Sequence, residues 1–149
     1  MEIEKEIKQS KFSSEYQKLV VNILFTGNWL SLVSNQRLKK YGISNEQFNI
    51  LRILRGQHPN TSSIQLLVDR MINKSSNASR IVEKLKLKGL LTRKECEKDR
   101  RLVEVLITDK GLKLLQELDN TNSEFEDMLK LVSEQDAKEV NRILDKLRG

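Results

Sequence analysis

The residues with the clearest chemistry begin a short predicted helix in the middle of the chain. On a helical wheel the apolar residues of this helix share one side, which leaves Ser76, Arg80 and Glu83 facing outward. Hydroxyl, amide and guanidinium groups can hydrogen-bond to base edges, and a helix N-terminus offers backbone N–H groups to a phosphate. The same run is also typical of an ordinary helix cap, so both interpretations stay open. The candidate DNA-binding residues here are Ser75, Ser76, Asn77, Ser79, Arg80 and Lys84.

A second charged stretch, Lys98-Asp99-Arg100-Arg101, lies at the tip of a predicted β-hairpin. One carboxylate between three cations can hold one guanidinium in a fixed pose while another enters a narrow minor groove. A solvated turn has the same composition. The tip therefore indicates a DNA contact only if its context supports one.

The charge distribution favours nucleic acid as a partner. The net charge is +6, with 13 basic and 7 acidic residues between positions 61 and 113, whereas residues 114–149 carry 5 basic and 9 acidic residues. A basic segment concentrates anions near the surface, so DNA is the leading partner class and an anionic membrane the weaker one.

Composition argues against several other classes. The single cysteine, Cys96, cannot form an intrachain disulfide, and with His58 as the only histidine we expect no metal and no cofactor. Cys96 has both lysines and glutamates nearby, so activation of its thiolate by the cations is offset by the acids. No glycine-rich phosphate loop or Gly-x-Ser-x-Gly motif is present, which predicts that the protein is not an enzyme. The charged N-terminus is unlike a signal peptide, and we expect a cytoplasmic protein with no membrane partner.

The apolar spacing predicts a mainly α fold with a small β-hairpin wing. Two short helices, one capped by Ser62 or Ser63 and one by Ser75, precede the hairpin and form a winged helix-turn-helix. Long amphipathic helices flank it: one runs from about Ser14 to Lys40 and ends near Gly42, and one is capped by Thr108 and runs through about Val132, followed by a helix from Ser133. After the first of them, Ser44 and Gln47 have the spacing of a capping box at the start of a further helix. Their spare apolar faces predict a helical dimer interface. We expect a single domain, 1–149, with a DNA-binding lobe at 44–110 and dimerisation helices at 12–40 and 111–149.

The stretch from Ile64 to Leu115 resembles the MarR family of bacterial winged-helix transcriptional regulators. The similar pieces occur in the order and spacing of the family, and the flanking helices match in order and length. These pieces are Ser79-Arg80-Ile81-Val82-Glu83-Lys84-Leu85, Lys88-Gly89-Leu90-Leu91-Thr92-Arg93, Asp99-Arg100-Arg101, and Leu106-Ile107-Thr108-Asp109-Lys110-Gly111.

The resemblance implies a homodimer that binds double-stranded DNA at palindromic operators. The recognition helix would run from about Ser75 to Lys88 and enter the major groove. Arg101 would enter the minor groove, steered by Asp99, while Lys98 and Arg100 would contact phosphates.

The resemblance also implies release of DNA by a small lipophilic or phenolic effector, bound between the dimerisation helices and the winged helix. The candidate lining residues are Trp29, Tyr41, Phe48 and Arg52, for which ordinary packing is the competing interpretation. The leading hypothesis is thus a transcriptional regulator acting as a repressor. The alternative is a winged-helix module for protein association that does not bind DNA.

Overall fold

The computed structural model describes residues 2–95, 103–121 and 123–149. It contains eight helices and three strands in these ranges. They are α1 (Ile3–Glu6), α2 (Glu15–Lys39), α3 (Asn45–Gln57), β1 (Ser62–Ser63), α4 (Ile64–Arg70), α5 (Ala78–Leu87), β2 (Leu91–Glu95), β3 (Val103–Ile107), α6 (Asp109–Asn120), α7 (Ser123–Leu129) and α8 (Glu134–Arg148).

The junction between α2 and α3 is built by local capping, as the sequence predicts. Gly42 takes a left-handed conformation with φ 66° after the end of α2. Ser44 and Gln47 then form a capping box, in which each side chain accepts the backbone N–H of the other residue. These bonds set the angle at which α3 leaves the long helix.

The helix-turn-helix consists of α4 and α5, and its second cap differs from the prediction. Ser63 caps α4, in agreement with the sequence, but α5 is capped by Asn77 and not by Ser75. The Ser75 hydroxyl donates instead to the Asn73 side-chain oxygen at 2.7 Å. The prediction of a helix start at Ser75 is therefore wrong, because Ser75 and Ser76 belong to the turn before the helix.

The wing is part of a three-stranded antiparallel sheet with the order β1-β3-β2. Both hairpin strands were predicted, and Leu91 pairs with Ile107 at their base. The short strand β1 is an addition, since two serines carry no alternating apolar pattern. The predicted wing-tip residues, Lys98, Asp99, Arg100 and Arg101, lie outside the described residues, as does Cys96.

The predicted long helix from Thr108 to Val132 is two helices. Thr108 caps α6 as expected, but α6 ends at Asn120 and α7 begins at Ser123. The Thr121 hydroxyl donates to the carbonyl oxygens of Leu118 at 3.1 Å and Glu117 at 3.3 Å. A polar β-branched residue that bonds the preceding turn in this way competes with continuation of the helix.

The core lies beneath α3, α5, α6 and the sheet. Fully buried side chains from these elements include Leu51, Leu85, Val105 and Leu115. At the N-terminal end, the unpredicted α1 folds back so that Ile3 is buried, and Lys18 pairs with Glu4. The hydrogen bond from Lys18 holds the pKa of the Glu4 carboxyl below its ordinary value.

Outside this core, the long terminal helices leave large apolar side chains in solvent. No residue of α8 is buried in the single chain. Within the described residues, none of the helices is both long and apolar enough to cross a bilayer. The exposed residues of α2 and α8 are Tyr16, Leu19, Val20, Leu24, Phe25, Trp29, Leu32, Val140, Ile143 and Leu147.

Candidate nucleic-acid interface

The first turn of α5 presents polar side chains to solvent because its apolar residues anchor the opposite side. Val82 and Leu85 are fully buried, whereas Ser79, Arg80 and Lys84 are exposed. The Asn77 side-chain oxygen accepts the Arg80 backbone N–H at 3.0 Å, which satisfies one of the free donors at the helix start. The turn is therefore fixed in conformation while its outward groups stay accessible.

A groove of about 360 Å³ runs between α5 and the start of α3. Four of the six predicted residues from this segment line it, namely Ser76, Asn77, Arg80 and Lys84. Ser75 and Ser79 are exposed and lie beside the groove rather than in its lining. The structure thus gathers hydroxyl, amide and cationic groups on one surface, where they can meet a base edge and a phosphate together.

The charge on this surface is only partly neutralised. Glu83 accepts from Lys86 at 3.5 Å and lies 3.8 Å from an Arg93 guanidinium nitrogen. Arg80 and Lys84 take part in no ion pair with another residue that the structure describes. Two cations at the groove are thus available to an anionic partner.

Arg93 is a contributor that sequence reasoning missed. It lies on β2, exposed, and its ion pair with Glu83 joins the base of the wing to α5. The pairing depends on strand register and helix packing, so no local sequence pattern signals it. It places a cation between the base of the wing and α5.

The predicted effector residues separate into three cavities. Phe48 and Arg52 line one of about 530 Å³, with the Arg52 guanidinium 5.8 Å from the Phe48 ring centroid. Trp29 lines a second cavity beside α1, and Tyr41 lines a third beside Lys88 and Lys110. The structure brings together Phe48 and Arg52 but not the other two.

Sequence reasoning also missed much of the wall around Phe48. Arg37 lies over both the Phe48 ring, at 5.6 Å, and the Phe125 ring, at 5.2 Å. Phe125 and Leu129 of α7 close the cavity from the C-terminal side. A stacked arginine between two aromatic rings is a cation–π arrangement, which periodicity along one helix does not reveal.

Comparisons with known proteins agree with this architecture. The model of the MarR family matches residues 41–102, from the end of α2 into the wing. The HTH-type transcriptional regulator MhqR of Bacillus subtilis is 28% identical over 114 residues, which cover 76% of this chain and 77% of that protein.

Two solved structures share the fold over almost the whole chain. The Staphylococcus aureus MepR–DNA complex has a TM-score of 0.76 at 20% identity, covering 92% of this chain and 97% of that one. An organohalide-sensing transcriptional regulator in its 2,4-dichlorophenol bound form has a TM-score of 0.80 at 22% identity, covering 94% and 85%.

These similarities concern the elements that carry the candidate interface. The family match includes the whole helix-turn-helix and the predicted wing tip. The relative from Bacillus subtilis is named as a transcriptional regulator rather than as an enzyme. The predicted fold class is confirmed by the helical structure with its small antiparallel sheet and by its structural neighbours. Residues 41–102 of the chain thus match the model of the MarR family, and most of the chain is similar to a transcriptional regulator of Bacillus subtilis.

Proposed function

We propose that this chain is a homodimeric, sequence-specific DNA-binding repressor that reads a palindromic operator. The observation that carries the proposal is the accessible groove side of α5, where Arg80 and Lys84 lie beside Asn77. Arginine prefers guanine and asparagine prefers adenine in a major groove. The adjacent cations supply the phosphate attraction that positions such a helix.

The dimer follows from the terminal helices. α8 has 15 residues and buries none of them in the single chain, although Val140, Ile143 and Leu147 share one face. An amphipathic helix of this length depends on packing for its stability. A second copy, covering the exposed faces of α2 and α8, supplies that packing, and its twofold symmetry requires inverted half-sites in the operator.

The wing adds the second DNA contact. In this proposal Arg101 enters the minor groove with Asp99 beside it, and Lys98 and Arg100 contact phosphates. The Arg93–Glu83 pair supports the assignment because it ties the base of the wing to the reading helix. A contact between the wing base and α5 favours poses in which both elements reach the duplex together.

The proposed effector would bind in the cavity around Phe48. Phe125 and Leu129 give it an aromatic and aliphatic wall, and Arg52 supplies a cation for a phenolate or carboxylate. Ile72, in the turn of the helix-turn-helix, also lines it, so an occupant would contact both the reading lobe and the C-terminal helices. Binding of 2,4-dichlorophenol by a structural neighbour suggests a phenol as the first compound to test. Such a ligand would release DNA by favouring dimers whose two reading helices no longer match the operator.

The experiment is selection of DNA from a pool of random duplexes by the full-length protein, followed by binding measurements on the enriched sequence. We expect inverted half-sites, one dimer per duplex, and affinity that falls with salt at a slope of about −0.9 per neutralised phosphate. Addition of 2,4-dichlorophenol should weaken binding of that duplex. Absence of enrichment together with a flat salt profile would support the protein-association alternative.

A further inference from the structure

We propose that Lys88 is a positioning residue for DNA recognition: its ammonium ties the end of α5 to the α2–α3 junction and so sets the pose of the reading helix. This inference rests on the proposed DNA binding. It assigns to Lys88 a role distinct from that of the cations that meet the duplex.

The contact joins two capping structures. Lys88 Nζ donates to the carbonyl oxygen of Gly42 and, at 3.0 Å, to Oε1 of Gln47. Gln47 is 7% exposed, and the same Oε1 accepts the Ser44 backbone N–H at 3.2 Å. The ammonium therefore bonds to the capping box that fixes α3 relative to α2. Hydrogen bonds with one charged partner are the stronger kind.

The backbone of the same residue is held from the other side. Lys110 Nζ donates to the Lys88 carbonyl oxygen at 2.8 Å, and the Thr108 hydroxyl donates to the Gly89 carbonyl oxygen at 2.8 Å. Thr108 also caps α6. The end of α5 is thus bonded both to the end of α2 and to the start of α6, the two helices that lead to the proposed dimer interface.

A fixed helix end matters because α5 acts as a lever. Arg80 and Lys88 lie toward opposite ends of this helix, about 12 Å apart at 1.5 Å per residue. A swing of roughly 10° at that length displaces Arg80 by about 2 Å, well beyond the tolerance of about 0.5 Å for a working site. The two hydrogen bonds of Lys88 oppose such a swing.

The placement of the ammonium argues against a direct phosphate contact. Lys88 follows the C-terminal end of α5 and does not line the groove, which α5 borders only as far as Lys84. Among the described residues, its recorded acceptors are both neutral oxygens within the protein. Its charge is therefore used to hold the fold at this junction.

The test compares Lys88→Met with Lys86→Met on two duplexes, the operator selected above and a scrambled duplex of equal length. Both variants remove one positive charge from the same helix end, but Lys86 bonds only Glu83 among the described residues. For Lys88→Met we expect about tenfold weaker operator binding, unchanged scrambled-duplex binding and an unchanged salt slope. Lys86→Met should leave the ratio of the two affinities unchanged.

Two results would overturn the proposal. The first is an equal loss on both duplexes with the salt slope reduced by about 0.9, which marks a phosphate contact. The second is operator affinity unchanged in Lys88→Met. If the wild-type protein still binds the operator, either result leaves the proposed function intact. Failure of the wild-type protein to bind would contradict the proposed function itself.

A second variant covers the case in which Lys88→Met unfolds, as judged by circular dichroism. Gln47→Leu removes the acceptor and leaves the charge of Lys88 in place, so a loss of operator affinity there has no electrostatic origin. Gln57→Leu, the same substitution at the other end of α3, is its control, since Gln57 neither bonds Lys88 nor lines the groove. We expect operator binding to fall in Gln47→Leu and not in Gln57→Leu. Equal affinities in the two would overturn the role of the contact.

Discussion

Arg80 lies in the first turn of α5, exposed and outside any ion pair among the described residues. Because a bidentate contact to guanine needs the planar guanidinium, Arg80→Ala should weaken operator binding by about 1–3 kcal/mol per half-site and relax base preference at one position. Arg80→Lys keeps the charge but not the two-pronged geometry of the guanidinium. Compared with Arg80→Ala, it should therefore regain affinity for scrambled DNA but not the base preference. Competition binding against operators with single base changes measures both effects.

Gly111 provides a residue-scale test of the packing beneath the wing. A Cβ at this position would lie 2.3 Å from the Leu90 carbonyl oxygen and 2.7 Å from Cγ1 of Ile107. The neighbours are backbone and a buried side chain, so Gly111→Ala should lower the free energy of unfolding by about 1–3 kcal/mol. Gly56→Ala is the matched control, since its Cβ would meet nothing within 4 Å and should stabilise α3 by about 0.4–1 kcal/mol. Urea denaturation followed by circular dichroism distinguishes them, and equal stabilities would contradict the close approach.

At the scale of the element, Asn77 at the N-cap of α5 has two proposed roles, capping the helix and contacting a base. Asn77→Ala removes the cap and should cost about 1 kcal/mol of stability. Asn77→Asp keeps an oxygen that accepts the Arg80 N–H, so stability should be retained, but it loses the amide donor and brings a negative charge toward DNA. We therefore expect Asn77→Asp to melt like wild type and to bind the operator poorly. Parallel loss of both properties in Asn77→Asp would mean that capping and recognition are inseparable here.

The elements differ in how far the sequence predicts them. Capping chemistry is local, so the Ser44–Gln47 box, the Thr108 cap and the Gly42 turn were predicted from neighbouring residues alone. β1 was missed because its pairing with β3 is made at long range. The break after α6 was missed because the apolar residues on either side of it, Leu118 and Phe125, keep the spacing of one continuous helix. The polar residues between them, including Thr121, gave no sign of an interruption.

The residues of the candidate site also differ in whether neighbouring residues or distant packing bring them together. Four groove residues share one helix or its preceding turn, so the wheel was sufficient to group them. The effector cavity draws its wall from α2, α3 and α7, and the sequence did not indicate that Phe125 packs near Phe48. Trp29 and Tyr41 were candidates on the family resemblance, but Trp29 on α2 and Tyr41 in the turn after α2 line other cavities.

The whole molecule joins a basic reading lobe to an acidic, apolar-faced C-terminal region. Residues 61–113 hold 13 of the basic residues, while residues 114–149 carry 9 acidic residues against 5 basic ones. The basic region is attracted to DNA, and the acidic region is repelled from the duplex. In the proposed complex, this asymmetry would orient each chain with its terminal helices away from DNA, where a second copy would pack on them.

Dimerisation is tested by one charge on the apolar face of α8. Ile143→Glu would place a carboxylate among the exposed side chains of Val140 and Leu147, and burial of that charge without a partner costs several kcal/mol. We expect the wild-type protein to sediment at twice the 17.3 kDa chain mass and Ile143→Glu at the single mass. Because two half-site contacts then cease to be linked, operator affinity should fall by at least a hundredfold.

Gln135→Glu adds the same charge on the polar side of α8 and should behave as wild type. A folded wild-type monomer, or an Ile143→Glu protein that remains dimeric, would contradict the assignment of this face to a second copy of the chain.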